Sequence, residues 1–472
     1  MLWQAVNALR GSVDAARYKE FVLGLVFLKY LSSTFEERQS LLTETLFSQN
    51  APEERVAQIL EDLTLYDFWV PPTARWSWIE AHARQGGAGR VLDKAAGAIM
   101  LANPDLTGTL AGVFGDADID QDRLADLIDL LSTRWASYRR VSAALAEEYS
   151  AFLDGFARFE GKSGVEFHTP RSVTRLVLEI LKPYSGRVYD PICGAGDMLA
   201  QTAMSFERSR GSVYGQERHT RTWNLARMNL IVHGLHADLG PGPADALSND
   251  HHPDLRADFV MAHPPFNLSD WARDVSDPRW TYGVPPADNT NYAWLQHIAA
   301  KLTPQGTAAV ILANGSLHAR KAEGEIRRAM LEDDLVACII TLPPYLFPST
   351  TIPACMWVLD KDKSPRQLSE RTDRRGQIIF IDATETGTMA SKTERVLEDT
   401  DLAKIVNAYR SWRGTGPRYH DEPDFCFSAS LEAVRANEYS LNPGLYVTPS
   451  PPNLMQDLYA VFDGHDLPLQ GG

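Results

Sequence analysis

The sequence predicts an α/β protein with a doubly wound, mostly parallel sheet, a helical domain before the sheet and a helical tail after it. Two patterns carry this prediction. Up to about residue 160, apolar residues recur at helical spacings of three and four, whereas beyond it short apolar runs alternate with helical stretches. Because 472 residues exceed what one hydrophobic core usually serves, we expect three domains, at 1–160, 161–385 and 386–472.

The N-terminal domain is predicted to be helical. One face of its first helix is marked by Tyr18, Phe21, Val22, Leu25, Leu28 and Leu31. Further helices are predicted at 55–63, 89–101 and 122–131. Pro71-Pro72 and Asn103-Pro104 mark breaks between them, because proline cannot continue a helix.

A glycine-containing segment at 161–164 is predicted to link the helical domain to the sheet. Strands are predicted at 187–190, 212–216, 258–262, 307–312, 335–342, 354–359 and 377–381. Helices are predicted around them at 171–181, 221–232, 292–302 and 323–331. From about Thr384 we expect a polar, helical region that contacts a partner subunit, with a mobile tail from Pro449.

The composition indicates a soluble, cytoplasmic protein that does not hold DNA unaided. The formal net charge is −15, whereas affinity for DNA requires cations that neutralise phosphates. No run of about 18 apolar residues could span a membrane, and the N-terminus lacks the pattern of a signal peptide. Four scattered cysteines argue against a disulfide framework or a zinc cluster, so we expect no metal site.

A glycine loop follows the first predicted strand, in Asp190-Pro191-Ile192-Cys193-Gly194-Ala195-Gly196-Asp197-Met198-Leu199. Glycines let the backbone approach a ligand closely, and the next helix offers free N–H groups. The acid Glu217 ends the next strand, where a carboxylate can accept hydrogen bonds from ribose hydroxyls. Alone, the loop could be an ordinary tight turn and Glu217 a surface residue. Their joint order predicts a cofactor site.

A rigid turn ends the strand at 258–262, in His263-Pro264-Pro265-Phe266. Two prolines fix the direction of the Pro264 carbonyl, and Phe266 offers a stacking face. Such a turn could also be purely structural.

Taken together, these segments resemble the modification subunit of type I restriction-modification systems, an N6-adenine DNA methyltransferase on a Rossmann-like fold. The loop at 190–199 and Gly215-Gln216-Glu217 resemble its cofactor-binding segments, and Phe167-His168-Thr169-Pro170-Arg171 resembles the segment that helps enclose the cofactor. The remaining similar segments are Leu9-Arg10-Gly11, Tyr18-Lys19, 27–31, 282–286, 293–297 and 342–347.

The resemblance implies that S-adenosylmethionine donates a methyl group to the exocyclic amine of adenine. Its implied cofactor-binding residues are Thr169, Pro170, Asp190, Pro191, Gly194, Gly196, Met198, Leu199, Glu217 and Asp245. The implied partners are double-stranded DNA, a DNA-specificity subunit, a restriction subunit and a second copy of the chain. The acidic charge agrees with a separate subunit that reads DNA.

The catalytic residues that the resemblance implies are His263, Pro264, Pro265 and Phe266. In the family an asparagine oxygen and the first proline carbonyl accept the two amine hydrogens, and the aromatic ring stacks on a flipped base. His263 stands where the family has asparagine. A neutral imidazole has one acceptor nitrogen and could take this role, whereas a protonated ring has none.

Two alternative functions remain at this point. One is a subunit for assembly or sensing that keeps the cofactor fold without the chemistry, owing to His263. A nicotinamide oxidoreductase is disfavoured because the glycine loop lacks the usual third glycine. Only the resemblance favours adenine N6 over cytosine N4 as the methylated atom. We expect His251-His252 to form a solvated turn, and Arg171, Arg320 and Lys321 either to meet phosphate or to be ordinary surface residues.

Overall fold

The computed structural model describes residues 15–110, 114–115, 120–134, 140–160, 169–202, 211–347, 350, 352–365 and 371–447. The predictions for Leu9-Arg10-Gly11, the linker at 161–164, Phe167-His168 and the tail from Pro449 lie outside these residues. Contacts divide the chain into two compact units, one with residues 1–174, 182–263 and 347–351 and the other with residues 175–181, 264–346 and 352–472.

The first unit begins with helices, of which those at 76–86 and 141–160 were not individually predicted from the sequence. The helices are α1 Ala15–Ser48, α2 Glu53–Leu60, α3 Trp76–Gly86, α4 Ala88–Ala102, α5 Gln121–Arg134 and α6 Val141–Glu160. Side chains predicted for the apolar face of α1 are buried, among them Phe21, Leu25 and Leu28. Leu23, Val26 and Phe27, which lie outside the predicted face, are buried as well, so this part of α1 is covered on more than one side.

The strands of the first unit are parallel. They are β1 Gly186–Asp190, β2 Gly211–Gly215, β3 Ala237–Asp238 and β4 Ala257–Ala262, in the order β4-β1-β2-β3. Three helices accompany them: α7 Arg171–Leu181, whose last residues belong to the second unit, α8 Asp197–Thr202 and α9 Thr220–Val232. Leu225, Met228 and Val232 of α9 join the core formed by the N-terminal helices. The N-terminal helices and α9 thus share one core.

The second unit carries strands of mixed direction. Its strands are β5 Leu302–Ala313, β6 Val336–Thr341, β7 Ala354–Asp360, β8 Gln377–Asp382, β9 Thr388–Met389, β10 Arg395–Val396 and β11 Cys426–Ser430. β7 pairs antiparallel with both β5 and β6, β6 pairs parallel with β8, and β8 pairs antiparallel with β11. Every residue of β6 and β7 is buried, as expected of strands covered on both faces. The helices are α10 Asn291–Lys301, α11 Lys321–Glu332, α12 Asp399–Arg413 and α13 Leu431–Ala436.

The C-terminal region is less uniform than predicted. Helix α12 has the expected signals: Glu398 and Asp401 form a capping box at its start, and Gly414 adopts the left-handed conformation at its end. However, β11 adds a strand to β8 in a region that we expected to be helical. Among the described residues, no helix is both long and apolar enough to cross a membrane.

Candidate active site

The glycine loop after β1 is held mainly by backbone hydrogen bonds. The Cys193 N–H donates to the Gln216 carbonyl at 2.9 Å, and the Gln216 N–H donates to the Asp190 carbonyl at 3.0 Å. Within the loop, the Gly196 N–H donates to the Cys193 carbonyl at 2.8 Å. Strands β1 and β2 pair in parallel, with Asp190 opposite Gly215, so the loop and the end of β2 lie at the same edge.

Gly196 permits the transition from the loop into α8. Its φ is 81°, in the left-handed region where a side chain is strained. A Cβ there would lie 3.4 Å from both Cα and Cβ of Ala226. Helix α8 then begins at Asp197, and its Met198 and Leu199 are buried. The close packing here is against helix α9, and the predicted approach of the loop to a ligand stays a prediction.

Asp190 is a fully buried carboxyl group at the start of the loop. Its Oδ1 accepts a hydrogen bond from the Ile192 N–H at 3.0 Å, whereas Oδ2 is buried without a hydrogen-bond partner among the described residues. Burial raises the pKa of Asp190 to about 8, the Ile192 N–H opposes this shift, and the nearby Glu217 adds to it. The loop therefore contains a desolvated acid that a cation or a hydrogen-bond donor would stabilise.

Glu217 follows β2 and is also buried, with 5% of its surface exposed. Its carboxylate accepts a hydrogen bond from the His219 N–H at 2.8 Å. Its own carbonyl accepts from the Ala244 N–H at 2.8 Å, which brings the segment before Asp245 to the end of β2. Asp190, the glycine loop and Glu217 are thus brought together as the sequence predicted for a cofactor site.

Gln216 is a functional-site residue whose role the sequence did not reveal. Its amide donates to the carbonyls of Ala244 at 3.1 Å and Asn249 at 2.7 Å, and its Oε1 accepts from the His251 N–H at 3.1 Å. These bonds fix the loop that carries Asp245. The half-buried Asp245 carboxylate accepts from the Leu247 N–H at 2.9 Å, so it caps its own loop.

The predicted catalytic turn begins with a buried imidazole, His263, which is 6% exposed. Its Nδ1 lies 2.8 Å from the Oγ1 of Thr169, a residue 94 positions earlier that is also buried. Its ring packs at a tilt against the ring of Phe347, with centroids 5.0 Å apart. Thr169 therefore contacts the catalytic turn directly, in addition to its predicted place beside the cofactor.

Beyond His263, Pro264 is buried and both Pro265 and Phe266 are half-buried. The turn continues into Asn267, whose φ of 53° is left-handed. The Asn267 N–H donates to the Asn291 Oδ1 at 3.2 Å, and the Asn291 amide donates to the Asn267 Oδ1 at 2.9 Å. This reciprocal pair holds the end of the turn, and sequence reading missed both residues.

Other predicted residues have simpler surroundings. Arg171, Arg320 and Lys321 are exposed. The prediction of a solvated turn is wrong for His252, which is 8% exposed and whose Nε2 lies 3.0 Å from the Gly215 carbonyl oxygen. This bond and packing between Tyr189 and Tyr214 bury the imidazole. Among the described residues, no group of three or more potential metal ligands occurs.

The parallel strands, the glycine loop after β1 and the acid after β2 define a Rossmann-like α/β protein. A family model described as N-6 DNA Methylase matches residues 140–453, and one described as HsdM N-terminal domain matches residues 1–131. The chain belongs to the N-6 DNA methylase family.

Two relatives and one solved structure span most of the chain. The Type I restriction enzyme HindI methylase subunit of Haemophilus influenzae is 37% identical, over 80% of this chain and 89% of its own. The MjaIX methylase subunit of Methanocaldococcus jannaschii is 32% identical, over 94% of this chain and 83% of its own. A crystal structure of the type I restriction-modification methyltransferase subunit of Streptococcus thermophilus covers 94% of this chain and 98% of its own, at 26% identity and a TM-score of 0.79.

These likenesses confirm the predicted family and fold class. They also confirm the predicted function, that of an adenine-specific DNA methyltransferase of the type I modification kind.

Proposed function

We propose that this chain transfers the methyl group of S-adenosylmethionine to adenine N6 in DNA with the site built from Asp190, Glu217 and the turn at His263. The observation that carries the proposal is the convergence of a buried acid, a glycine loop and a second buried acid at one edge of the parallel strands. When bound, the cofactor supplies an electrophilic methyl group on a sulfonium.

The residues at this edge fit such a cofactor. The Asp190 Oδ2, buried without a partner among the described residues, suits a donor such as the ammonium of the methionine moiety. Gly196 lets the loop pack closely against Ala226 of α9, because a Cβ there would lie 3.4 Å from that residue. Glu217 holds a carboxylate at the end of β2, where ribose hydroxyls are bound in folds of this kind.

The chain's own catalytic task is to orient the adenine amine and accept its hydrogens. The lone pair of this amine is delocalised into the base, so acceptors that hold its hydrogens favour a nucleophilic geometry. The Pro264 carbonyl is directed by the two prolines, and Phe266 offers a face for an extruded base. His263 supplies the second acceptor in place of the family's asparagine.

Thr169 acts as a positioning residue for His263. Because the His263 Nδ1 meets the Thr169 hydroxyl at 2.8 Å, Nε2 is the nitrogen that must face the amine. Nε2 accepts a hydrogen only when the ring proton is on Nδ1, and that tautomer requires the Thr169 oxygen to accept from Nδ1–H. The hydroxyl thereby holds the proton away from the atom that receives the amine.

The partners of this chain follow from its charge and its relatives. With a net charge of −15, we infer that a separate specificity subunit holds and reads the DNA, with a second copy of this chain and a restriction subunit completing the complex. The N-terminal helices and the region after Thr384 are the proposed interface. The isolated chain should bind duplex DNA weakly, and tight sequence-specific binding by the chain alone would contradict this inference.

The function is tested with the chain reconstituted with the specificity subunit from the same locus. Tritiated cofactor and duplex DNA are incubated with the complex, and the modified nucleoside is identified by mass spectrometry. We expect N6-methyladenine. N4-methylcytosine would overturn the base assignment, and cofactor binding without any transfer would instead favour the noncatalytic role in assembly or sensing. Single-molecule mapping of modified bases in a host with the intact locus then gives the target sequence.

A further inference from the structure

A cavity of about 410 Å³ in the second unit is lined by Asn267, the residue that follows Phe266 in the chain. We call it the carboxamide pocket, because three of its lining residues are asparagines. The lining residues used below are Asn267, Asn289, Asn291, Arg320 and Glu323. This volume is in the range of pockets that hold small ligands.

The asparagines form a connected wall. Besides the reciprocal bonds between Asn267 and Asn291, the Asn289 Oδ1 accepts from the Asn291 N–H at 2.9 Å. Asn291 is 1% exposed, so this wall is fixed by a buried residue at the start of α10. Carboxamides are the side chains that pair with base edges, because each offers both a donor and an acceptor.

Glu323 is a half-buried acid in the pocket wall. Its Oε1 is buried without a hydrogen-bond partner among the described residues. The nearby Arg327 is engaged elsewhere, with Nη1 donating to the Ala319 carbonyl at 2.7 Å and Nε to the Tyr439 carbonyl at 2.8 Å. Burial raises the pKa of Glu323, Asp288 adds to this shift, and Arg327 opposes it. A carboxyl whose buried oxygen has no hydrogen-bond partner destabilises the fold unless a ligand supplies that bond.

The charged residues at the carboxamide pocket indicate whether a base or a phosphate occupies it. The carboxylate of Asp288, whose charge raises the pKa of Glu323, would repel a phosphate inside the pocket. The exposed Arg320 lines the pocket as well, and cations at such a position suit the DNA backbone that flanks an inserted nucleotide. The arrangement therefore favours a neutral base within the pocket and phosphates outside it.

We propose that the carboxamide pocket binds the ring edge of the extruded adenine, with the Glu323 carboxyl donating its O–H to a ring nitrogen of the base. This inference rests on the proposed function, because it identifies residues that select the substrate of the same reaction. Asn267 follows Phe266 in the chain and belongs to the pocket wall, so the stacking residue and the pocket lie in the same unit.

The first test compares Glu323→Leu with the matched control Glu325→Leu in the complex with the specificity subunit. Glu325 lies on the same helix and is exposed. Removing a desolvated acid should leave the melting temperature of the Glu323→Leu variant unchanged or raise it, while kcat/KM for DNA falls roughly tenfold. Glu323→Gln, which keeps a donor, should retain most of the activity. Glu325→Leu should change neither quantity.

A substrate series identifies the atom that Glu323 contacts. Duplexes carry 1-deazaadenine, 3-deazaadenine or 7-deazaadenine at the target position, each lacking one ring nitrogen. One of these bases should lower the wild-type kcat/KM by about the same factor as Glu323→Leu and show no further loss in that variant. The proposal is overturned if Glu323→Leu has wild-type kcat/KM, if its activity falls in step with its melting temperature, or if its loss adds fully to that of every analogue.

A binding measurement separates this proposal from the proposed function. The wild-type complex should bind the duplex with its target adenine several-fold more tightly than the same duplex with an abasic target, and Glu323→Leu should abolish this difference. A complex that transfers no methyl group but shows this difference would refute the proposed function alone. Equal wild-type affinity for the two duplexes would overturn the pocket assignment.

Discussion

The glycine loop after β1 and the catalytic turn after β4 both follow the end of a parallel strand, but they are held in different ways. Backbone groups hold most of the loop, through the bonds among Asp190, Cys193 and Gln216, and one side chain, Asn229, donates to the Ala195 carbonyl at 2.9 Å. Remote side chains hold the turn, through Thr169 at His263 and Asn291 at Asn267. A site held mainly by its backbone depends on glycine conformation and on few side chains. A site held by side chains depends on individual distant residues.

The largest expected effect comes from combining Gly196→Asp with Glu217→Ala. The first change puts a side chain at a left-handed φ against Ala226, and the second removes the acid proposed to bind ribose. We expect cofactor affinity to fall on the order of 100-fold, with methyl transfer lost. Isothermal titration calorimetry measures the affinity.

A matched control for this variant is Gly97→Asp in α4, where a Cβ would meet nothing within 4 Å. It should bind the cofactor like the wild type. Unchanged affinity in the double variant would show that the backbone-held loop is not the cofactor site.

The difference between the two regions also explains which parts could be predicted from the sequence. The loop could be predicted because its glycines follow a strand-end acid within a few residues of the chain. The helical faces could be predicted from the periodicity of their apolar residues. Thr169 and Asn291 could not be assigned their contacts, because those partners are 94 and 24 positions away. The strand β11 was missed because five residues carry little periodic signal and its pairing with β8 is a tertiary contact.

A smaller effect is expected when His263 is replaced by asparagine. The amide oxygen always accepts, whereas imidazole accepts only in the neutral form and in one tautomer. We expect kcat to rise, by as much as the roughly 10²-fold that one oriented polar group can contribute, and the loss of activity at acid pH that His263 causes to disappear. The rate of transfer measured between pH 5 and pH 9 tests both points.

Either of two results would contradict the interpretation that His263 accepts a hydrogen of the adenine amine. A His263→Asn complex that stays inactive while binding cofactor and DNA would place the defect elsewhere. Equal rates for the two proteins at every pH would show that histidine is an equivalent acceptor here.

Thr169→Val should have a more modest effect, about a tenfold decrease in kcat, because it removes the oxygen that selects the His263 tautomer. Thr169→Ser keeps the hydroxyl and should restore most of the rate. The decisive measurement repeats Thr169→Val in the His263→Asn background, where no tautomer is to be selected and the loss should vanish. A loss of the same size in both backgrounds would indicate that Thr169 acts on the cofactor or on packing instead.

The smallest expected effect is the release of less than one proton when the cofactor binds, and it tests the loop without measuring catalysis. Burial raises the pKa of Asp190 to about 8, so the carboxyl is mostly protonated at pH 7 in the free protein. A cofactor ammonium beside it would lower this pKa, and the proton would leave on binding. Calorimetry in buffers with different ionisation enthalpies measures that proton.

Because its pKa is raised, Asp190 changes the pH dependence of stability in the opposite direction from most surface carboxylates. Because the folded pKa of Asp190 exceeds the ordinary value of 3.8, the folded state binds more protons between about pH 4 and pH 8, and stability falls as pH rises through this window. Asp190→Asn should remove this slope and the proton release together, whereas Asp254→Asn, at an exposed position, should remove neither. Binding without proton release in the wild type would mean that the cofactor's cation does not approach Asp190, and the backbone-held loop would then bind its ligand through N–H groups and Glu217 alone.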